Sequence, residues 1–222
     1  MKRILLLLIV ILGACTEGVV QDVQIQEDAN QEDVGTPSVK VVYSAAVASL
    51  RDKGLSQLNY KYSFTSLVQD EFGHMQTVAS YDVIVFNDKV KKVYSSPQKR
   101  GSRFYTDFYL NNAARTAVAV CAVGGVLCGT NVNKVEDADY ESEKVSITMK
   151  TVLEGIPAEA KVTGSALVGN RKATIIEYDN VKVYLDNFFG VPLKKEVFDG
   201  ELIEEHTFSR VSAGAKESDV MV

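Results

Sequence analysis

The sequence predicts an α+β fold that consists mainly of antiparallel β-strands. Near the C-terminus, four strand-like runs are separated by turn residues, and they cover 172–178, 181–186, 193–198 and 201–208. Asp199-Gly200 between the last two runs is typical of a hairpin, because both central residues of a type I′ turn need a positive φ. Strands joined by such short turns are antiparallel, since parallel neighbours need long crossovers. An amphipathic pattern upstream adds a few helices to this sheet.

Residues 1–14 have the three parts of a secretory signal peptide. Lys2-Arg3 are positively charged, an apolar run of nine residues extends from Ile4 to Leu12, and two small residues follow. The run is too short for a membrane-spanning helix, which needs about 20 residues. The next residue is Cys15, and Leu12-Gly13-Ala14-Cys15 resembles the lipobox of prokaryotic lipoproteins. This resemblance implies cleavage before Cys15 and acyl chains on its sulfur. The alternative is an ordinary cleaved signal followed by an incidental cysteine.

Residues 15–35 are predicted to be the lipidated Cys15 and a disordered acidic tether. From Thr16 the segment is rich in Gln, Asp and Glu and has no aromatic residue, so it cannot bury enough surface to offset its ordering entropy. Residues 16–38 hold six acidic and no basic side chains, which leaves 39–222 almost neutral. Without clustered basic charge, we expect no nucleic-acid partner. A specific acidic interaction tail is the alternative role of the tether.

The globular domain is predicted to span 36–211, followed by a flexible tail over 212–222. Thr36-Pro37 is typical of a helix start, with Thr as the N-cap and Pro as the first helical residue, and Gly54 is typical of a helix end. The residues that share one face of this helix are Val39, Val42, Tyr43, Ala46, Val47 and Leu50. Few basic residues flank this face, so we expect it to pack on the domain's own sheet rather than on a membrane.

Tyr60, Tyr62 and Phe64 alternate with polar residues, which predicts a half-buried strand. Further strands are predicted over 78–86, 90–94, 104–110, 116–123 and 162–168. Loops are predicted over 95–102 and 131–144, a short helix over 146–154, and the start of another over 157–161.

Cys121 and Cys128 are predicted to form a disulfide. Gly124-Gly125 between them supplies a tight turn, and a close pair of cysteines in an exported protein is most simply a disulfide. A redox role is the alternative, but it would favour Cys-x-x-Cys at a helix N-terminus, whereas six residues separate this pair.

No sequence motif identifies a reaction. The two histidines, His74 and His206, do not belong to a zinc-ligand pattern, and the sequence has no nucleophile elbow, Walker or dinucleotide motif. We therefore expect no enzymatic activity, no cofactor, no metal and no catalytic residues. A carboxylate pair of the glycosidase type stays open, although the chain has no tryptophan for sugar stacking.

Three segments resemble the LolA/LolB family of lipoprotein-sorting proteins: 169–178, 183–186 and 189–194. In that family a strand, a run ending in Asp, a Gly-x-Pro-Leu turn and a basic or polar strand follow in the same order. The resemblance covers 39–211 in outline. It implies a curved, open half-barrel sheet with a few helices packed on its concave face and an apolar cavity between them. In the family's carriers this cavity holds lipoprotein acyl chains. A receptor's protruding apolar loop has no match here.

These expectations define a candidate site and a function. The candidate cavity lining is Val42, Tyr43, Val47, Leu50, Tyr60, Tyr62 and Phe64. The first hypothesis is an extracytoplasmic lipoprotein, held at the cell membrane or cell envelope through Cys15, that binds a lipid, a lipoprotein acyl chain or another apolar ligand. The alternative is a non-catalytic structural or interaction module of the cell envelope. A hydrolase is the third hypothesis.

Overall fold

The computed structural model describes residues 44–57, 59–122 and 127–222. Cys15, Val42, Tyr43 and the proposed signal and tether lie outside the described residues.

One antiparallel sheet of eleven strands dominates the described part of the chain. Its strands are β1 (Asn59–Gln69), β2 (Met75–Phe86), β3 (Lys89–Arg100), β4 (Arg103–Asn111), β5 (Thr116–Val120), β6 (Val135–Ala138), β7 (Lys161–Val168), β8 (Arg171–Tyr178), β9 (Val181–Asp186), β10 (Pro192–Asp199) and β11 (Glu201–Ala213). Their order is β6-β5-β4-β3-β2-β1-β11-β10-β9-β8-β7. Two meanders therefore join where β1 pairs with β11. β6 and β7 are separate edges, so the sheet is open, and the predicted fold class is confirmed.

Three α-helices occur in the described ranges: α1 (Ala45–Leu55), α2 (Tyr140–Glu143) and α3 (Met149–Glu154). They lie on the concave face of the half-barrel. α1 begins later than the helix predicted from Pro37, because Ser44 is its N-cap; Thr36 and Pro37 themselves lie outside the described residues. Ser44 has a non-helical ψ of 144°, and its hydroxyl accepts a hydrogen bond from the Val47 amide.

Two predicted loops contain secondary structure. β3 extends into the first of these predicted loops, 95–102, and ends at Arg100. Its register against β4 shifts between Val93 and Gln98. Pro97 lies inside this shift, where its missing N–H removes no ladder hydrogen bond. The other predicted loop, 131–144, contains β6 and α2. β6 pairs with β5, and the polar sequence of this segment did not reveal that pairing.

Two further predictions are corrected. No helix begins over 157–161, where the chain turns and enters β7 so that Lys161 can pair with β8. The predicted flexible tail over 212–222 packs on the domain: β11 extends to Ala213, and Ala215 and Val220 are buried. Asp219 and Glu217 in this tail form ion pairs with lysines of β1 and β3, at 2.9 and 2.6 Å.

α1 contacts the β9–β10 turn where two glycines meet. A β-carbon on Gly190 would lie 2.7 Å from the amide nitrogen of Gly54 and would also collide with the carbonyl oxygen of Leu50. A β-carbon on Gly54 would collide with the Gly190 carbonyl and lie 2.7 Å from Cδ1 of Leu153. Gly190 also has φ of +72°, which L-residues with side chains adopt at a cost. The close approach of α1 to the sheet therefore requires glycine at both positions.

The core contains one buried imidazole. His206 is 1% exposed and pairs across the sheet with Ser66 on one side and Lys195 on the other. Its Nδ1 lies 3.1 Å from Oγ of Ser66, and its ring stacks on Phe64 at 5.9 Å. Its Nε2 lies 3.0 Å from Oε1 of Glu204 but makes no hydrogen bond. Burial lowers the pKa of His206; Glu204 opposes this effect, and Lys195 adds to it.

Replacing Gly190 should test the helix–turn contact. We expect Gly190→Ala to lower the free energy of unfolding by about 2–4 kcal/mol, because a positive φ and an overpacked contact both oppose the methyl group. Gly200→Ala is the matched control: Gly200 has φ of +73°, but a β-carbon there meets nothing within 4 Å, so the cost is about 1 kcal/mol. Equal losses in chemical denaturation would contradict the contact.

Lowering the pH should destabilise the fold through His206. The folded chain favours neutral imidazole, so the unfolded chain binds the proton more readily. This contribution to the free energy of unfolding is fully present above the ordinary pKa of 6.5 and is lost as the pH falls below it. Denaturation curves between about pH 7 and pH 5 would measure this. We expect His206→Gln to flatten the pH dependence of the free energy of unfolding. His74 is exposed, so we expect His74→Gln to leave this dependence unchanged. An unchanged slope in His206→Gln would refute the assignment to His206.

Candidate functional site

A cavity of about 520 Å³ lies between α1, α3 and the sheet. Its apolar lining consists of Leu55, Tyr60, Val85, Met149, Leu153 and Val191, and its polar lining of Gln57, Asn87, Asp88 and Lys150. This volume is within the range of about 300–1,000 Å³ that is usual for small-molecule sites.

The lining is apolar in its depth and polar at its mouth. Met149, Leu153 and Val191 are at most 2% exposed, whereas Asn87 and Asp88 are exposed. The Lys150 side chain is 69% exposed and lies 3.8 Å from Glu154. Such an arrangement suits a ligand with an apolar body inside and a polar group at the solvent.

Local sequence explains why α1 ends and α3 begins at the cavity. α1 ends at Leu55, where Gly54 abuts the β9–β10 turn. α3 begins with a capping box in which the hydroxyls of Thr148 and Thr151 each accept from the other's amide. The Arg51 guanidinium donates to the Leu153 carbonyl at 3.1 Å and joins the two helices.

The structure distributes the predicted lining residues between cavity and core. Tyr60 lines the cavity, and burial raises its pKa to about 12, so its hydroxyl is neutral at ordinary pH. Val47, Tyr62 and Phe64 are buried in the packed core, and Leu50 packs at its edge. The Tyr62 hydroxyl is buried without a hydrogen-bond partner in the described structure.

Sequence reasoning did not select the α3 residues or Val85 and Val191. A signal existed for α3, because Met149, Val152 and Leu153 have the i, i+3, i+4 spacing of one helix face. Val85 and Val191 had no such signal. They come close to α3 only because β2 and the start of β10 lie under the two helices.

A buried cluster of charges on the same face holds α2. Lys92 donates to the carboxylate and the backbone carbonyl of Glu143 at 2.9 and 2.7 Å, and Arg100 pairs with the same carboxylate. Burial raises the pKa of Glu143, but Arg100 and Lys92 outweigh this and lower it overall. Every charge in the cluster is paired, so it serves to attach α2 to the sheet.

Ser66, His206 and Glu204 have the residue types of a hydrolytic triad, but they do not form an accessible site. A nucleophile must reach its substrate, whereas Ser66 is 5% exposed. None of the three residues lines the cavity.

Cys121 and Cys128 are joined in a disulfide, as the sequence predicted. Both cysteines are buried. Among the described residues, no group of three His, Cys, Asp or Glu side chains has the arrangement of a metal site. None of the helices in the described ranges is long and apolar enough to cross a membrane.

No protein-family model matches the chain, and no curated protein matches it. Solved structures do match. A chain in the structure of the Pseudomonas aeruginosa MucA/MucB complex is 13% identical over 80% of this chain and 61% of its own, with a TM-score of 0.39. This chain spans less than two thirds of the chains that it matches there and in two further structures that contain MucB.

Two shorter proteins are matched over almost their whole length. A LolA superfamily protein from Nitrosomonas europaea is 7% identical over 79% of this chain and 97% of its own, with a TM-score of 0.35. The Mycobacterium tuberculosis lipoprotein LppX is 10% identical over 77% and 97%, with a TM-score of 0.41. At these values the matches carry no further argument. The open antiparallel sheet with a few helices agrees with the architecture that the sequence resemblance implied.

Proposed function

We propose that this chain is a lipid-anchored protein of the cell envelope whose domain binds one lipid chain or another apolar ligand. The observation that carries this proposal is the cavity under α1 and α3, with its buried apolar depth and polar mouth. A ligand gains about 0.8 kcal/mol for each methylene group that it buries there.

The size of the cavity limits the ligand. A volume of about 520 Å³ suits one acyl chain or a compact apolar molecule rather than a lipid with several chains. Lys150 and Asp88 supply one charge of each sign near the mouth. These charges favour an amphiphile whose polar end stays at the mouth, and the role that we propose is binding or carriage.

The anchor is proposed from the sequence alone. Cys15 follows a signal-like leader in the lipobox-like tetrad Leu12-Gly13-Ala14-Cys15. The two acyl chains of a diacylglyceryl group on its sulfur would give stable attachment to a membrane, on its extracytoplasmic side.

A second candidate function is a structural or interaction module of the envelope. The packing of Val47, Tyr62 and Phe64 into a filled core favours it, because most of the concave face offers no room for a ligand. The two candidates differ in whether the α1–α3 cavity is occupied by an apolar molecule.

A charge in the cavity wall should weaken ligand binding. We expect Leu55→Glu to weaken binding of radiolabelled palmitate by about tenfold or more, which corresponds to ~1.4 kcal/mol, because the carboxylate would have to be desolvated beside the ligand. Equilibrium dialysis of the full-length chain would measure this. Leu167→Glu is the control, since Leu167 is 70% exposed and outside the lining. Unchanged palmitate binding in Leu55→Glu would exclude the cavity.

Removing the thiol at position 15 should release the protein. We expect Cys15→Ser to abolish incorporation of radiolabelled palmitate during growth and to shift the chain from the membrane to the soluble fraction. Cys121→Ser with Cys128→Ser controls for the loss of cysteines elsewhere in the chain. Membrane attachment that persists in Cys15→Ser would refute the anchor.

A further inference from the structure

The β9–β10 turn exposes an aromatic residue on a backbone that several hydrogen bonds hold in place. Phe188 is 70% exposed. Its amide donates to Oδ1 of Asp186 at 2.8 Å, and the Gly190 amide donates to the Asp186 carbonyl at 2.7 Å. The Asn187 amide donates to the Lys172 carbonyl at 3.0 Å. These hydrogen bonds therefore hold the backbone of the turn in one conformation, with the Phe188 side chain exposed.

The charges around Phe188 are positive. Lys53 Nζ lies 5.6 Å from the centre of the Phe188 ring, and Lys172 lines a surface hollow with the same ring. The one carboxylate in that hollow, Asp186, is buried and neutralised by Arg171 at 2.6 Å. The exposed ring thus has two cations beside it, Lys53 and Lys172, and among the described residues neither forms an ion pair with a carboxylate.

A second turn in the same molecule has the same geometry and the opposite charge. Phe72 at the β1–β2 turn is 76% exposed, and its amide donates to Oδ1 of Asp70 at 2.9 Å. Its neighbours are Asp70 and Glu71, and the hydrogen bonds that Asp70 accepts from the His74 and Phe72 amides hold its pKa below the ordinary value. Exposure of a phenylalanine is therefore common to both turns, but only the Phe188 turn is basic.

We propose that Phe188, Lys53 and Lys172 form a docking patch for an anionic lipid surface. An aromatic ring at the headgroup boundary with lysines beside the phosphates is the usual composition of an interfacial contact. A single protruding ring beside a shallow hollow fits a bilayer better than a peptide, which would need successive side-chain pockets. The turn leads directly into Val191 of the cavity wall, so docking places the cavity next to the lipid.

This inference rests on the proposed membrane location, because the anchor raises the local concentration of lipid around a weak patch. It does not depend on whether the cavity binds a ligand.

The absence of tryptophan from the chain provides the test. The full-length chain with Phe188→Trp, or with Phe72→Trp as the matched control, is incorporated into vesicles of phosphatidylcholine with or without phosphatidylglycerol. Some acyl chains carry bromine as a quencher. We expect Phe188→Trp to show blue-shifted, quenched emission that is stronger with phosphatidylglycerol, and Phe72→Trp to show neither change.

Adding Lys53→Gln and Lys172→Gln to Phe188→Trp should reduce the docked-to-undocked ratio by a factor of about five for each lysine. Sedimentation with the vesicles reports separately on the anchor. Absence of quenching at position 188 on phosphatidylglycerol vesicles overturns the patch, whether or not the chain stays attached. Equal quenching at positions 188 and 72, or no effect of the lysine substitutions, overturns it as well.

Discussion

The contact between Gly54 and Gly190 fixes the functional half of this molecule. α1 can rest on the β9–β10 turn only because neither residue has a β-carbon, and any side chain would meet backbone atoms that cannot move aside. This contact sets the height of α1 above the sheet. The guanidinium of Arg51 then ties α3 to the same helix. The cavity is the space that remains beneath the two helix ends, so its size follows from a backbone-to-backbone approach rather than from the side chains that line it.

The concave face is divided into a filled part and an open part for a steric reason. In the filled part, the ring centroid of Phe208 lies 5.5 Å from those of Tyr62 and Phe64. All three rings and Val47 are buried. At the C-terminal end of α1, the smaller side chains of Val85 and Val191 line the cavity together with α3 residues and leave the space open.

The segment from Asp186 to Val191, which contains the β9–β10 turn, combines three roles in six residues. Asp186 holds its backbone and is neutralised by Arg171, which also covers the ring of Phe189 at 4.9 Å. Gly190 receives α1, and Val191 lines the cavity. Phe188 is left at the surface between lysines. A rigid turn at this place couples the position of the cavity to the orientation of the exposed ring, which is the geometric basis for both proposals.

Part of this structure was readable from local sequence. β9 has its predicted bounds, and the Asp199-Gly200 hairpin and the Cys121–Cys128 disulfide were predicted, because alternation, turn chemistry and cysteine spacing are short-range signals. β6 and the ordered tail were missed, because a short polar strand and the burial of Ala215 and Val220 depend on partners distant in the chain. By itself the sequence determined an antiparallel sheet with a few helices. Only the tertiary structure decided that Tyr60 lines a cavity while Tyr62 and Phe64 fill the core, because all three point to the same face and only the helices above them distinguish open space from packed space.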